Sequence, residues 1–227
     1  MIDREPPAGG APPPPAPPPT PLQQAFLRPA AATRGVLMVV ALVSLAAFQL
    51  PELALALRKD NAAIRAGEVW RLLTAGLVHG NLLHLFMNGL VLNNVGGVVE
   101  RLLGARRMLL VLWGGVFTGS LASFATNPHP SVGISGGVFA LVGALLAVGL
   151  RYRRRLPPPL RGMLIRGPVE VIILNLALGL SLPIIDNAAH LGGLAGGFLL
   201  ALAAGPRREL ADLLEGRATR PLPWRGG

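Results

Sequence analysis

Gly133-Ile134-Ser135-Gly136-Gly137-Val138-Phe139-Ala140-Leu141-Val142-Gly143 opens an apolar run that stops at Arg151-Tyr152-Arg153-Arg154-Arg155. It places a serine between glycines at the head of a hydrophobic helix. On its own such a serine reads as packing, because small residues let membrane helices approach closely. The rest of the chain changes that reading. Of its 227 residues 52% are hydrophobic and only 14% charged, and the charges lie outside the long apolar runs. That pattern is an all-α polytopic membrane protein. Cysteine is absent, which excludes disulfides and thiolate metal sites. His79, His84, His129 and His190 follow no metal-ligand spacing, so no metal is expected. The net charge of +10 comes almost wholly from arginine at the ends of apolar segments, so it points to topology and not to nucleic acid.

Residues 1–34 are dominated by Pro and Ala and include Pro12-Pro13-Pro14-Pro15. This composition favours polyproline II and cannot bury a core, so a disordered tail is expected. It reads as a spacer, with a ligand for a partner domain as the alternative, and carries no signal-peptide pattern. Residues 35–205 hold six apolar spans, at about Gly35–Leu57, Leu82–Val99, Met108–Ala125, Ser135–Leu150, Val169–Leu182 and Ala188–Ala204. Residues 206–227 form a short polar tail. Trp70 beside Arg71, in the connection after the first span, reads as an interfacial anchor.

Six spans place both termini on one side. With that side cytosolic, the inner segments carry 17 Lys/Arg against 4 outside, which is the arrangement that positive charge in cytosolic loops selects. Spans two, four and six then run inward. Ser135 precedes Arg151 by 16 residues, His190 precedes Arg207 by 17, and His84 precedes Arg101 by 17. At about 1.5 Å per residue all three sit roughly 24–26 Å above the inner arginine level, a few Å beneath the outer surface of a ~30 Å hydrocarbon layer. Span four is also short, so its start is sunk in the membrane and a water-accessible cavity from outside is expected. Ala189, Gly193 and Gly197 on span six and Gly136, Ala140 and Ala144 on span four form two small-residue faces that permit close approach.

A serine is a weak nucleophile unless a base takes its proton, and imidazole is the usual base near neutral pH. His190 is the candidate base, since an intramembrane histidine is costly to keep. His84 and Asn88, at i and i+4 on span two, share a helix face and are candidate donors to an oxyanion, together with the helix-terminal N–H groups at Ser135.

Glu68-x-Trp70-Arg71, His79-x4-His84-x3-Asn88, Gly133-x-Ser135-Gly136 and Ala189-His190-x2-Gly193 occur in this order on six spans. The set resembles the rhomboid family of intramembrane serine proteases, over about Gly35 to Gly205. The resemblance implies a Ser135–His190 dyad and an oxyanion hole of His84, Asn88 and the Ser135 amide. It also implies supporting roles for Gly133, Gly136, Phe139 and Gly193. Phe139 falls where the family places an aromatic ring against the catalytic histidine, frequently a tyrosine. The resemblance further implies a membrane-lying loop at Trp70-Arg71, a lateral gate at span five, no cofactor, and membrane-anchored proteins as substrates cut in or beside a transmembrane segment. A bacterial inner membrane is the expected location; the oligomeric state is open.

The remaining polar residues read as structural. His79 shapes a loop, His129 is solvated, and Asn93, Asn94 and Asn175 make interhelical hydrogen bonds. Glu100-Arg101 reads as a cytosolic interfacial cluster, and the arginines of 151–166 as topology determinants in contact with anionic lipid. Asp186, four residues before His190, reads as a helix cap and not as the third member of a triad. Two rival readings stand beside the protease: a catalytically silent rhomboid-like protein that binds membrane helices, and a small transporter.

Overall fold

The computed structural model describes residues 30–182 and 185–214. The Pro-rich tail expectation for residues 1–29 and the polar tail beyond 214 lie outside them. The described residues are mostly helical and form no strand, and six of their helices are long and apolar enough to cross a membrane. It is the all-α six-span bundle that the resemblance implies. The helices are α1 (Ala31–Gln49), α2 (Pro51–Leu57), α3 (Asn61–Arg65), α4 (Arg71–Thr74), α5 (Leu82–Leu103), α6 (Ala105–Thr126), α7 (Ser135–Tyr152), α8 (Pro158–Ser181), α9 (Asn187–Ala204) and α10 (Arg208–Leu214). The spanning helices are α1 and α5 to α9.

The first span differs from its expected bounds at both ends, for identifiable reasons. It starts at Ala31, not Gly35, because a carboxylate from α5 caps it. Glu100 accepts from the N–H groups of Ala32 (3.0 Å) and Thr33 (2.8 Å) and from the Thr33 hydroxyl (2.7 Å). Those first-turn donors have no partner within their own helix and sit at the positive end of its dipole. Glu100 is only 5% exposed, so its reading as an interfacial cluster gives way to a buried staple between α1 and α5. The helix ends at Gln49 because Pro51 supplies no N–H; Pro51 instead begins the short α2. Further on, α8 begins at Pro158 where Val169 was expected, so Arg161 and Arg166 belong to the helix and not to the loop before it.

The core is built around α7, whose Ala140 and Leu141 are wholly buried together with Met108, Val111 and Leu112 of α6. Lipid tails are as apolar as leucine, so close packing and not burial from water must hold such helices together. The two small-residue faces meet as expected. A methyl group at Gly193 would collide with the Gly136 carbonyl oxygen, and one at Gly197 with that of Ala140. On the other flank a methyl at Gly119 of α6 would stand 2.6 Å from the Ala189 carbonyl oxygen. Helices α6, α7 and α9 therefore form a unit in backbone contact. By contrast α8 exposes Ile173, Leu174 and Leu180. Asn94 and Asn175 donate to carbonyls one turn back in their own helices, Leu90 and Val171, which replaces the interhelical bonds expected of them.

Replacing Glu100 with Ala leaves three donors at the start of α1 without their acceptor. Hydrogen bonds to a charged group are worth roughly 1.5–3 kcal/mol each. The Glu100→Ala protein is expected to melt well below the parent in detergent, and an unchanged melting temperature would show that the staple contributes nothing.

Candidate active site

Ser135 is the first residue of α7 and His190 lies in the first turn of α9. Gly136 packs against the Ala189 carbonyl, a methyl there meeting it at 3.4 Å, so the heads of the two helices are in van der Waals contact one residue from each candidate. Phe139, one turn along α7 from Ser135 and thus on the same face, stacks on the His190 ring at 4.2 Å with 8° between planes. That stack brings the imidazole onto the face of α7 that carries Ser135. His190 is buried, and its Nδ1 has no hydrogen-bond partner among the described residues. Ser135 is half-buried.

The second pair arrives from α5. Asn81 caps this helix through the N–H of His84 at 2.8 Å, which fixes the first turn. Asn88, one turn on, is buried and its Nδ2 donates to the His84 carbonyl at 3.2 Å. Gly133 presses on both. Its φ of +118° is a backbone state that favours glycine, and a methyl there would meet His84 Cε1 at 2.8 Å and Nε2 at 2.9 Å. The Asn88 amide nitrogen would be 3.8 Å away. The Gly133 N–H donates to the Ala75 carbonyl at 2.9 Å. Glycine at this position lets the chain turn into α7 with His84 and Asn88 against the approach to Ser135. All eight site residues expected from sequence thus gather where α5, α7 and α9 meet.

His79 lies beside them. Its ring meets His84 edge-on at 4.9 Å. Ser44 gives its hydroxyl proton to the Leu77 carbonyl at 3.0 Å, so the 2.9 Å contact with His79 Nδ1 is one in which the imidazole donates. Burial, with His84 next to it, pushes His79 down to about 4, so it is neutral and shapes the loop. His129 is exposed, as expected. Trp70 is exposed as an anchor should be, but Arg71 is buried. It pairs with Glu68 and donates to the carbonyls of Leu55 and Arg58, bracing the loop from within.

Sequence reasoning passed over one cluster. Lys59 is fully buried and donates from Nζ to Ser123 Oγ and to the carbonyls of Asn127 and His129, each at 2.9 Å. Ser123 in turn donates to Asp186 Oδ2 at 2.5 Å. Asp186 Oδ1 accepts from the Ala189 N–H at 3.1 Å, making Asp186 the cap of α9. Burial pushes the Asp186 carboxyl up. Hydrogen bonds from Ser123, the Ala189 N–H, Asn127 and Ser131 outweigh that and hold it below the usual carboxylate range. Burial pulls the Lys59 ammonium down, and the carboxylates of Asp186 and Asp60 oppose that fall. One signal was available in the sequence: Lys59 is the only lysine beside twenty arginines.

Fold and site together define a polytopic helical membrane protein with a serine and a histidine at the heads of two packed helices. A rhomboid-domain family model matches residues 66–207. The rhomboid protease GluP of Bacillus subtilis (strain 168) is 44% identical over 147 residues, covering 65% of this chain and 28% of GluP. YdcA of the same organism is 32% identical over 173 residues, 71% of this chain and 83% of YdcA. The rhomboid protease GlpG of Photorhabdus laumondii is 36% identical over 137 residues, 60% of this chain and 47% of GlpG. The chain belongs to the rhomboid family and is an integral membrane protein.

The cap role of Asp186 has a kinetic consequence. Asparagine also caps helices well, so Asp186→Asn is expected to lower turnover of a model transmembrane substrate by less than about tenfold. A triad acid converted to its amide costs ~10⁴. Steady-state kinetics in detergent decide, and a loss of several thousandfold with the fold intact would make Asp186 a triad member.

Proposed function

We propose that this chain is an intramembrane serine endopeptidase that hydrolyses peptide bonds in or next to transmembrane segments of membrane-anchored proteins. The observation that carries the reading is the Phe139–His190 stack, which puts an imidazole on the Ser135 face of α7. Family membership supports the same reading.

In the proposed reaction His190 takes the Ser135 hydroxyl proton as Oγ attacks the scissile carbonyl. The tetrahedral oxyanion is received by His84, Asn88 and the Ser135 N–H, the last being a helix-terminal donor at the positive end of the α7 dipole. Collapse breaks the C–N bond, and the imidazolium returns its proton to the leaving amine. A water activated by the same imidazole then hydrolyses the acyl ester and restores the Ser135 hydroxyl. No metal or organic cofactor enters these steps. Substrate enters sideways past α8, whose outward face is apolar and loosely held. The arginine distribution supports placing both termini in the cytosol, and a bacterial inner membrane is the proposed location.

The test compares purified variants on a membrane-anchored model substrate. Ser135→Ala and His190→Ala are each expected to abolish cleavage, and the double variant to be scarcely worse, because the pair acts as a unit. His84→Ala and Asn88→Ala should retain residual activity, since losing one oxyanion donor typically costs about 10²–10³ in turnover. Substantial cleavage by Ser135→Ala would sink the dyad, and parent-like activity in both α5 variants would remove α5 from the site.

A further inference from the structure

The two segments that carry the proposed dyad converge on one buried amine. Besides its three Nζ bonds, Lys59 forms an isolated antiparallel bridge with Ser131, giving and receiving backbone hydrogen bonds of 3.0 and 3.1 Å. Its side chain and backbone together hold the chain at residues 127, 129 and 131, just ahead of Gly133 and Ser135. Through Ser123 the same amine reaches Asp186, whose other oxygen caps the turn that contains His190.

The hydrogen-bond directions also fix the charge. The carbonyls of Asn127 and His129 can only accept. Ser123 gives its single hydroxyl proton to Asp186 and so must accept from Lys59. The nitrogen therefore donates three protons, which only the ammonium form can do. Three acceptors converging on a point suit a compact ammonium, whereas the planar fork of arginine matches flat, bidentate partners. This is the physical case for the chain's single lysine at this position. Asn61 adds bonds to the Phe124 and Asn127 carbonyls at 3.2 and 3.1 Å, but it makes none to Asp186.

We infer that Lys59 is a positioning residue for the reaction: its ammonium, acting directly on the 127–131 loop and through Ser123 on the Asp186 cap, sets the distance and orientation between Ser135 and His190. The inference rests on the serine-protease reading above. It does not make Lys59 a catalytic residue, since the amine contacts neither member of the pair.

The experiment uses the full chain in liposomes. Parent, Lys59→Met, Ser123→Ala and Ser135→Ala are compared for kcat and KM on a membrane-anchored model substrate, for the rate of Ser135 labelling by a fluorophosphonate, and for melting temperature. Misplacing a reacting group by about 1 Å can cost roughly 100-fold. Lys59→Met is therefore expected to lose about 100-fold in kcat per folded molecule, with KM within about twofold of the parent. The labelling rate should fall in parallel. Ser123→Ala removes one Lys59 acceptor and one Asp186 hydrogen bond but leaves the Lys59 bonds to the 127 and 129 carbonyls, and should lose about tenfold with the same split. A lower melting temperature with parent kcat per folded molecule would reduce Lys59 to a fold residue and overturn the inference, as would a rise in KM alone. Where Lys59→Met is too unstable to purify, Ser123→Ala decides, and parent-like kcat and labelling there overturn it. A parent no more active and no more labelled than Ser135→Ala is a separate result: it removes the protease reading and this inference with it.

Discussion

The structure depends on one contact, the backbone of α7 lying directly against the backbone of α9. Side chains normally hold helix axes 8–10 Å apart. At Gly193 and Gly197 no side chain intervenes, and the carbonyls of Gly136 and Ala140 occupy the space a methyl would need. Each glycine costs a helix up to about 1 kcal/mol relative to alanine. In lipid that cost is offset by dispersion, which grows with the number of close atom pairs. The contact also sets register. A slip of either helix would drive Cβ atoms into carbonyls, so the heads of α7 and α9, and with them Ser135 and His190, are held by the same collisions that hold the bundle.

Register alone does not place a serine at a helix head at the depth that the count from the arginines predicts. The chain must also descend to it, and irregular backbone at that depth survives only where its polar groups find partners. The segment before α7 finds them in Lys59, Asn61 and the backbone of Ala75. Glu100 serves the start of α1 in the same way, whereas Asp186 caps α9 from the residue just before it. A recurring solution is visible: a charged side chain brought from a distant segment satisfies helix-end or loop groups that water would satisfy in a soluble protein. Arg71, which reaches the carbonyls of Leu55 and Arg58, is another instance.

The sequence was legible where the physics is local or periodic. Apolar runs bounded by arginine located six spans, three of them to within three residues at each end. Counting from those arginines put Ser135, His190 and His84 at one level, and the structure brings them to one end of the bundle. The four-residue spacing of small residues predicted which faces of α7 and α9 meet. What escaped were pairings between residues far apart in the chain. Nothing near Glu100 announces that it caps α1, 67 residues away from Thr33 in the chain. Lys59, Ser123 and Asp186 are separated by more than 60 residues at each step, and their chemistry exists only once three elements have met.

The site also shows how a histidine can be oriented without an acid. In a triad the carboxylate fixes the imidazole tautomer and steadies the imidazolium. Here the His190 Nδ1 is buried and has no hydrogen-bond partner among the described residues. Orientation comes instead from the flat stack on Phe139 and from burial in the first turn of α9. A stack constrains the plane of the ring but supplies little charge stabilisation, so an imidazolium formed here depends on more distant charges. The carboxylate four residues away is already committed to the α9 cap and to Ser123, which in turn binds the Lys59 ammonium. Its negative charge is therefore largely answered within the framework. The result is an imidazole aimed by packing, with the charged groups of the site used to hold the backbone in place around it.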